Sequence, residues 1–360
     1  MRKLRVHLVS TAAAHAPGSM RAYADTLLAA LARHAPEVEA TLHELDPAPA
    51  QGALARRWQA LALPARARRL RAHPDLWHVL DGSRAYVSAG LRGAPVVITA
   101  HDVIPVLQQR GRFPAAPPMG AAARWLWRRN GAALRKAQGV ICVSKSTQDD
   151  VVREFGTPIA SRVVPLPVRT ALATAVTRAD APSRESGVVL HVGNNSFYKN
   201  RAQVLRIFAA LDRVLARRLV MAGAPPTRDL LGLAKELDIE ASVEWVDGAS
   251  DAQIARLYGS ASVLVFPSLY EGFGWPVLEA MAFGLPVVCS DAGSLPEVVE
   301  GAAPCLSPED RDGFVREVEI LLRDPLLHAQ RARTGRLRAD AFGMERFARG
   351  MADAYLAAIP

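Results

Sequence analysis

Two glutamates, Glu271 and Glu279, stand out because they lie eight residues apart in the stretch PSLYEGFGWPVLEAMAFGLPVV, residues 267–288. The first lies in a glycine-rich turn after a predicted strand, and the second lies about one turn into a predicted helix. Backbone N–H groups at the beginning of a helix attract phosphate, and the glycines in residues 272–274 let that anion come close. The two carboxylates could bracket a phosphate and bind hydroxyl groups on either side of it, as a nucleotide diphosphate sugar would require. A strand–turn–helix with two solvated glutamates is the simpler alternative.

Further residues of interest follow three other predicted strands. They are Lys199 in LHVGNNSFYKN, His101 and Asp102 in ITAHDVIP, and Gly18 and Ser19 in PGSMRAY. Ligands of α/β sheets bind at the carboxyl ends of the strands, and the resemblance described below makes these three turns candidates for a site. A plainer interpretation exists for each of them: a surface lysine, a structural histidine next to a turn-capping aspartate, and an ordinary strand–helix turn.

These residues depend on a regular succession of strands and helices. Short apolar runs alternate with helical patterns in both halves, which predicts α/β domains with parallel sheets covered on both faces. The predicted strands are LRVHLVS, LWHVLDG, APVVITAHD and GVICVS in the first half, and GVVLHVG, RRLVMAG, SVEWVD, SVLVFPS and PVVCSD in the second.

The pattern restarts after a stretch rich in Pro, Ala, Ser and Thr, which predicts an interdomain connection. We therefore expect a first domain at 1–165, a connection at 166–186 and a second domain at 187–340. Residues 341–360 are predicted as a C-terminal helix, for which packing back on the first domain is one arrangement. Two doubly wound domains would present their strand ends to a shared cleft.

The segment around the two glutamates resembles the Glu-x7-Glu signature of the family 4 retaining glycosyltransferases, which have the GT-B fold of two Rossmann-like domains. The resemblance covers EGFG, LEAMA and the following G-x-PVV, and it continues through SDAGSLPEVV, residues 290–299. It implies retaining transfer of a sugar from a nucleotide-sugar donor, with no catalytic metal and no cofactor. It further implies that Glu271 binds hydroxyls of the donor sugar and that Glu279 binds the ribose. The donor phosphates would lie against the backbone of Gly272, Phe273 and Gly274.

The same resemblance gives Lys199 a role on the donor diphosphate, whose growing negative charge a fixed cation stabilises. Many relatives add an arginine shortly after the preceding glycine or directly before this lysine. The present chain has Asn194 and Tyr198 at those positions, so the second cation is unassigned. Arg201 is the nearest candidate.

Further positions follow from the resemblance. Backbone near Val246 would receive the nucleobase, and a tight loop at Gly18 and Ser19 would face the diphosphate and the acceptor. In relatives a histidine at the position of His101 reaches the donor sugar from the first domain. Asp102 would contact the acceptor or the sugar, or cap the following turn.

The formal charge of +9 includes only five lysines among 44 basic residues, so an arginine- and alanine-rich genome explains it as well as an anionic partner does. The segment ARWLWRRNGAALRKA, residues 123–137, mixes tryptophan with arginine and suits peripheral contact with an anionic membrane. A solvated helix face with its tryptophans in the core is the alternative. No nucleic-acid-binding module is recognisable.

The expected location is cytoplasmic, at the inner face of the membrane if the basic segment binds lipid. The three cysteines show no metal-ligand spacing and favour a reducing compartment. No apolar run is long enough to span a membrane, and the slightly signal-like N-terminus is better interpreted as a first strand.

The YKN turn and HD-x-IP resemble bacterial mannosyl- and rhamnosyltransferases that assemble surface polysaccharides. On that analogy the donor is GDP-mannose and the acceptor is a glycan or a lipid-linked glycan. Three alternatives remain: another GT-B enzyme such as a nucleotide-sugar epimerase or a phosphorylase, a nicotinamide-dependent dehydrogenase, and a non-catalytic basic protein that binds lipid or nucleic acid. No GxGxxG follows a predicted strand, which counts against the dehydrogenase.

Overall fold

The structure is a computed structural model that describes residues 2–12, 18–45, 53–114, 116–156, 160–178 and 184–359, with only the backbone described at 53–58, 174 and 176–178. The chain divides into two compact units. One unit comprises Met1–Thr170 together with Met344–Pro360, and the other comprises Ala171–Gly343.

Strands and helices alternate along the described chain. Up to the boundary between the units they are β1 (Leu4–Ser10), α1 (Ser19–His34), β2 (Val38–Glu44), α2 (Ala53–Arg68), β3 (Leu76–Val79), β4 (Val96–Ala100), α3 (Ile104–Gln109), α4 (Ala121–Lys136), β5 (Gly139–Cys142), α5 (Lys145–Phe155), β6 (Ser161–Val163) and α6 (Thr170–Arg178). They continue with β7 (Val188–Gly193), α7 (Arg201–Ala210), β8 (Arg218–Gly223), α8 (Arg228–Glu236), β9 (Val243–Asp247), α9 (Asp251–Ser260), β10 (Val263–Phe266), α10 (Trp275–Ala282), β11 (Val287–Ser290), α11 (Leu295–Val299), β12 (Cys305–Leu306), α12 (Arg311–Arg323), α13 (Pro325–Ala339) and α14 (Met344–Ala357). Short 3-10 helices lie at Gly82–Gly90, Phe197–Lys199 and Glu240–Ser242.

The first unit is built on an all-parallel sheet with the strand order β2-β1-β3-β4-β5-β6. Strands β3 and β5 are buried along their whole length, as expected when helices cover both faces of a parallel sheet. The chain adds β2 on one side of β1 and then β3 on the other. The carboxyl ends of β1 and β3 therefore flank a topological switch point, the place where such sheets bind ligands.

Helix α14 belongs to this first unit although it follows the second unit in the sequence. The Tyr355 hydroxyl lies 2.9 Å from Nδ1 of His78, and Nε2 of His78 lies 2.7 Å from the Thr99 hydroxyl. Thr99 is also 2.9 Å from the Tyr23 hydroxyl. Burial lowers the pKa of His78 to about 3, so the imidazole is neutral and relays hydrogen bonds between the two hydroxyls. This chain of polar groups connects α14 to β3, β4 and α1.

The second unit contains a parallel sheet with the order β12-β11-β10-β7-β8-β9. Its first strand, β7, lies in the middle, and its fourth, β10, is added beside it after the chain has built β8 and β9 on the other side. Its switch point therefore lies between β7 and β10. The apolar core includes Phe208 and Phe314, both of them buried.

Helix α10, which carries Glu279, is bounded by two glycines with positive φ. Gly274 at its beginning has φ +94°, and Gly284 just beyond its end has φ +65°. The N–H of Gly284 donates to the Met281 carbonyl and the N–H of Leu285 donates to the Ala280 carbonyl, each at 2.8 Å. These two bonds form a Schellman motif, which favours glycine at the left-handed position. The backbone thus fixes the helix at both ends.

Two all-parallel sheets alternating with helices confirm the α/β class predicted from the sequence. Three strands were not predicted, and one helix lies where a connection was expected. Strand β2 has only partly buried or exposed residues after its first position and so lacks a continuous apolar run, while β6 and β12 are three and two residues long. Helix α6 lies within the stretch predicted as a connection, where alanine favours helix and Leu172 is fully buried. Among the helices of the described chain, none is long and apolar enough to cross a membrane.

Candidate active site

Lys199 and Glu271 form an ion pair at the switch point of the second sheet. Lys199 lies in the turn after β7 and Glu271 in the turn after the neighbouring strand β10. The Lys199 Nζ is 2.9 Å from each carboxylate oxygen of Glu271, and it lies 5.2 Å from the centroid of the Phe266 ring. The two side chains are only 14% and 7% exposed. The fold thus brings together a cation and a carboxylate that are 72 residues apart in the sequence.

The backbone of Glu271 is held by the turn that follows β11. The N–H and the hydroxyl of Ser294 donate to the Glu271 carbonyl at 3.0 and 3.1 Å. Gly293 has φ +61° and lies so close that a Cβ atom there would collide with the Glu271 backbone. The Ser290 hydroxyl donates to the Ser268 carbonyl at 2.5 Å, just before the turn. SDAGSLPEVV therefore supports the turn that carries the first glutamate.

Glu279 is buried inside the second unit, with 1% of its surface exposed. Its Oε2 accepts a hydrogen bond from the Tyr258 hydroxyl at 3.0 Å, and Tyr258, on α9, is fully buried. The ring of Tyr258 packs against Phe283, with 5.7 Å between the ring centroids. Glu279 is thus not a solvated surface carboxylate, because a neighbouring helix fixes its position.

A guanidinium holds the two helices that carry this pair. Arg184 donates to the carbonyls of Tyr258 at 3.1 Å and Ala261 at 2.9 Å, near the end of α9, and to that of Phe283 at 2.8 Å, at the end of α10. Burial, and secondly the charge of Arg336, lower the pKa of Arg184 to about 10, so it stays protonated at neutral pH. A cation at two helix C-termini opposes the negative ends of both dipoles. Arg184 therefore fixes α9 against α10.

The N-terminus of α10 is a buried turn. Gly272, Phe273 and Gly274 are all buried, and in the described part of the chain no side chain makes the capping hydrogen bond at Gly274. A Cβ atom at Gly274 would collide with Leu295, and the Phe273 ring packs edge-on against Phe342, with centroids 5.8 Å apart. The positive end of the α10 dipole and a closely approachable backbone favour an anion at this turn.

Arg201 points away from Lys199, although it lies only two residues further along the chain. Its guanidinium lies 5.3 Å from the centroid of the Trp245 ring on β9, and it donates to the Ala224 carbonyl at 2.9 Å and to Asn195. Its Nε and Nη2 are buried without a hydrogen-bond partner in the described chain. In the order β10-β7-β8-β9, Lys199 thus lies on the β10 side and Arg201 on the β9 side.

Asn194 and Tyr198 occupy the two positions at which the family resemblance leads one to expect an arginine, and both make hydrogen bonds to nearby backbone. The Asn194 side chain accepts the N–H of Ser196 at 2.9 Å, and the Tyr198 carbonyl accepts the N–H of Leu269 at 2.7 Å. The second bond ties the turn after β7 to the turn after β10. Val246 lies near the carboxyl end of β9, paired with β8, on the same side as Arg201.

His101 and Asp102 lie at the carboxyl end of β4 in the first unit. The His101 Nε2 is 2.9 Å from the Leu80 carbonyl, and its ring packs edge-on against Tyr23 with centroids 4.6 Å apart. Burial lowers the pKa of His101, which keeps the imidazole neutral and leaves Nδ1 as its acceptor. The Asp102 carboxylate accepts the N–H of Ile104 at 3.0 Å, as expected for the turn-capping alternative.

Gly18 and Ser19 mark the beginning of α1, and both are exposed. Gly18 has an extended backbone, and a Cβ atom there would meet nothing within 4 Å among the residues that the structure describes. Within the same residues, no side chain makes a capping hydrogen bond to this helix. Position 18 therefore has room for a larger side chain. Gly18 and Ser19 are candidates for the site because they follow β1.

The basic segment forms α4, and its two tryptophans differ. Trp127 is buried, whereas Trp125 is 46% exposed with the Arg129 guanidinium 5.0 Å from its ring centroid. The other exposed basic residues of this helix are Arg124, Arg128, Arg135 and Lys136. A cavity of about 490 Å³ borders the helix, with Arg129 and Lys136 among its lining residues. Trp127 thus lies in the core, and Trp125 is accessible on the surface of the first unit.

The structure adds residues that the sequence did not reveal as part of the site. Tyr258 and Arg184 support Glu279, and Ser294 supports Glu271. His191 of β7 is fully buried below the turn, with its Nδ1 3.0 Å from the Val265 carbonyl. Burial, together with the charges of Arg201 and Lys199, lowers the pKa of His191 to about 3. Neither the type of these residues nor the sequence around them marks them as part of the site. Ser294 is the exception, because it lies within the segment SDAGSLPEVV that resembles the family.

Comparison with solved structures gives the fold. The chain superposes on sucrose-phosphate synthase from Thermosynechococcus elongatus with a TM-score of 0.80 and 21% identity over 98% of each chain. It superposes on WaaG, a glycosyltransferase involved in lipopolysaccharide biosynthesis, with a TM-score of 0.73 and 16% identity over 97% of this chain and 98% of that one. It superposes on HepE from Anabaena, solved with UDP and glucose, with a TM-score of 0.72 and 16% identity over 97% of this chain and 98% of that one. The fold is therefore GT-B, with two Rossmann-like units.

Comparison of sequences gives the family. The model described as Glycosyltransferase Family 4 matches residues 2–172, and the model described as Glycosyl transferases group 1 matches residues 177–338. The protein belongs to the family 4 glycosyltransferases, as the resemblance around Glu271 and Glu279 predicts.

Two of its relatives are mannosyltransferases. An MMP α-(1→4)-mannosyltransferase from Mycolicibacterium hassiacum is 32% identical over 274 residues, which cover 69% of this chain and 61% of the relative. The O-antigen chain mannosyltransferase B from Escherichia coli is 31% identical over 207 residues, 53% of each chain. The chain thus spans 61% and 53% of the length of these two relatives.

Proposed function

We propose that this protein transfers a hexose from a nucleotide diphosphate sugar to a glycan or lipid-linked glycan acceptor, with retention of anomeric configuration and without a metal ion. The observation that carries the proposal is the buried pair of Lys199 and Glu271 at the switch point, beside the N-terminus of α10. A cation, a carboxylate and a helix N-terminus lie at the one edge of the sheet where this fold binds nucleotides.

The leaving group explains the cation. When the bond between the sugar and the diphosphate breaks, its electron pair moves to the phosphate oxygen, which gains negative charge. Lys199 stabilises that charge as a fixed donor, and the N-terminus of α10 adds its dipole. The acceptor hydroxyl attacks the anomeric carbon from the face that the leaving group vacates. We assign its proton to the departing phosphate oxygen, because His101 is proposed to bind a sugar hydroxyl and no other candidate side chain is an obvious base.

The two glutamates divide the donor between them. Glu271, next to Lys199, accepts hydrogen bonds from hydroxyls of the sugar, while its partner offers positive charge to the diphosphate. Glu279, held by Tyr258, accepts hydrogen bonds from the ribose. His101 offers its Nδ1 to a sugar hydroxyl, and Asp102 is the acceptor-side candidate. The nucleobase lies on the β9 side, near Val246 and Arg201.

GDP-mannose is the proposed donor, because two relatives are named as mannosyltransferases. A thermal-shift series with GDP-mannose, UDP-glucose and the free diphosphates tests this choice, since a ligand at 100 times its Kd stabilises by about 2.7 kcal/mol. The expected result is the largest shift with GDP-mannose. A larger shift with UDP-glucose would show that GDP-mannose is the wrong donor, and it would leave the proposed reaction type unchanged.

The stereochemical proposal needs a product. Incubation of the donor with a lipid-linked glycan, followed by NMR of the new glycosidic bond, should show the anomeric configuration of the donor. The reaction should proceed unchanged in excess EDTA. An inverted product, or loss of activity that Mg²⁺ or Mn²⁺ restores, would refute the mechanism.

A lipid-linked acceptor gives the basic helix α4 a role. Its exposed arginines and Trp125 form a surface with both a cationic and an interfacial component. We place the protein at the cytoplasmic face of the membrane through this helix, as a peripheral and not a spanning protein. The liposome experiment in the Discussion tests this contact.

A further inference from the structure

Two cysteines face each other on the last two strands of the second sheet. Cys289 of β11 and Cys305 of β12 are directly paired in the parallel register, and their sulfur atoms are 3.7 Å apart. Neighbouring strands lie about 4.7–4.9 Å apart, and disulfides bridge Cα–Cα distances of about 4.4–6.8 Å. The backbone spacing therefore already suits a disulfide. The third cysteine, Cys142, is buried in the other unit.

The two thiols differ in ways that suit an attacking and a resolving role. Cys305 is partly exposed, whereas Cys289 is buried. The hydrogen bond from the Cys289 thiol lowers the pKa of Cys305, and that same bond, together with burial, raises the pKa of Cys289. An accessible thiolate beside a protonated thiol is the arrangement of redox-sensitive cysteine pairs.

We propose that Cys305 and Cys289 form a peroxide-sensitive dithiol that closes to a reversible disulfide. The Cys305 thiolate attacks one oxygen of hydrogen peroxide, the O–O bond breaks, and a sulfenic acid and hydroxide form. The Cys289 thiol then attacks the sulfur of that sulfenic acid and releases water. Two electrons pass from the two sulfurs to the peroxide. A small dithiol reverses the bond by thiol–disulfide exchange.

Closure requires movement at the edge of the sheet. The sulfurs must approach from 3.7 Å to about 2.05 Å. Strand β12 has only two residues and lies last in the strand order, so it gives way more readily than β11, which pairs on both sides. The backbone bonds that cross the pair are Cys289 N–H to the Pro304 carbonyl at 3.2 Å and Asp291 N–H to the Leu306 carbonyl at 2.8 Å.

The pair is coupled to the first glutamate through the end of β11. Ser290, next to Cys289, donates to the Ser268 carbonyl, and Ser294 holds the Glu271 carbonyl. Even with β12 making most of the movement, a disulfide at Cys289 strains the end of β11 and, through Ser290 and Ser294, the turn after β10. The effect on turnover rests on the proposed function, whereas formation of the disulfide does not. We expect oxidation to lower turnover several-fold.

Peptide mapping tests the bond directly. The reduced, folded protein is treated with hydrogen peroxide, remaining thiols are blocked after denaturation, and digested peptides are analysed by mass spectrometry. We expect a linked peptide containing Cys289 and Cys305, a fall in free thiols from three to one, and full recovery with dithiothreitol. Cys142→Ala should behave as the parent does, and Cys305→Ser should form no link.

A second variant protects the test against misfolding. In Cys289→Ala, peroxide should leave a sulfenic acid at Cys305 that dimedone labels, with circular dichroism equal to that of the parent. Oxidation of Cys305 to sulfinic acid without a link in the parent, or labelling of Cys142 at the same rate, would overturn the proposal. A complete link with unchanged turnover would overturn its coupling to Glu271.

Discussion

The most direct test of the site concerns Glu279 and the hydroxyl that holds it. Glu279→Ala removes a buried carboxylate whose proposed ligand is the ribose. A hydrogen bond to a charged group contributes about 1.5–3 kcal/mol, which corresponds to roughly 10- to 150-fold in Kd. The free nucleoside diphosphate and the nucleotide sugar both contain the ribose, so both affinities should fall by the same factor. Isothermal titration calorimetry without acceptor measures both.

Two further variants separate binding from folding. Tyr258→Phe keeps the ring against Phe283 and removes only the hydroxyl that donates a hydrogen bond to Glu279. Its cost to the free energy of unfolding should be about 1–3 kcal/mol, and its effect on Kd should be smaller than that of Glu279→Ala because the carboxylate remains. Glu279→Gln keeps an acceptor for Tyr258 and should unfold at nearly the parental urea concentration while binding nucleotide more weakly.

The pattern across the variants decides the assignment. If Glu279→Ala is folded, as urea denaturation would show, and still binds nucleoside diphosphate with the parental Kd, Glu279 does not bind the ribose. If only the nucleotide sugar loses affinity, Glu279 contacts the sugar instead. In either case the proposed division of the donor between Glu279 and Glu271 is wrong.

Three other predictions follow from the described geometry. Glu271→Ala should lower turnover about a hundredfold or more, the scale of losing a positioned electrostatic group, while calorimetry shows nucleoside diphosphate still binding; activity within a few-fold of the parent would refute its role. Replacing Arg128, Arg129 and Arg135 of α4 by serine should weaken binding to anionic liposomes roughly a hundredfold, because each basic residue contributes about 1 kcal/mol. Sedimentation measures this binding, and equal pelleting of parent and variant would refute the contact. Stability should fall as the pH is lowered from 6.5 toward 3, because unfolded His78 and His191 bind protons that their folded forms, with pKa values of about 3, do not. Urea denaturation across that range should show that each histidine changes the free energy of unfolding by about 1.4 kcal/mol per pH unit. His191→Gln should remove the contribution of one histidine to this slope. An unchanged slope in the variant would contradict the prediction.

The sequence predicted the strands that carry the site better than the contacts within it. Buried parallel strands have continuous apolar runs and glycine-rich ends, so the turns that carry Lys199 and Glu271 were recognisable. The pairing of these two residues was not, because it depends on β10 being added beside β7, and strand order leaves no local pattern. Tyr258 and Arg184 were missed for the same reason, since their partners lie on other elements.

Surface and edge features were predicted less well. Helix α6 was missed because its short alanine-rich sequence lies among residues typical of a linker. The tryptophans of α4 could not be distinguished by type. Their two-residue separation turns them toward different sides of a helix, so that Trp127 is buried while Trp125 is exposed.

The return of α14 to the first unit bears on the order in which the protein matures during synthesis. Domains generally fold from the N-terminus as the chain leaves the ribosome. Here the first unit lacks Tyr355, the partner of His78, until residues that follow the second unit have been made, whereas the second unit, Ala171–Gly343, is contiguous in the sequence. The second unit should therefore reach its native state first. A chain truncated after Gly343 should show protease resistance in the second unit and sensitivity in the first.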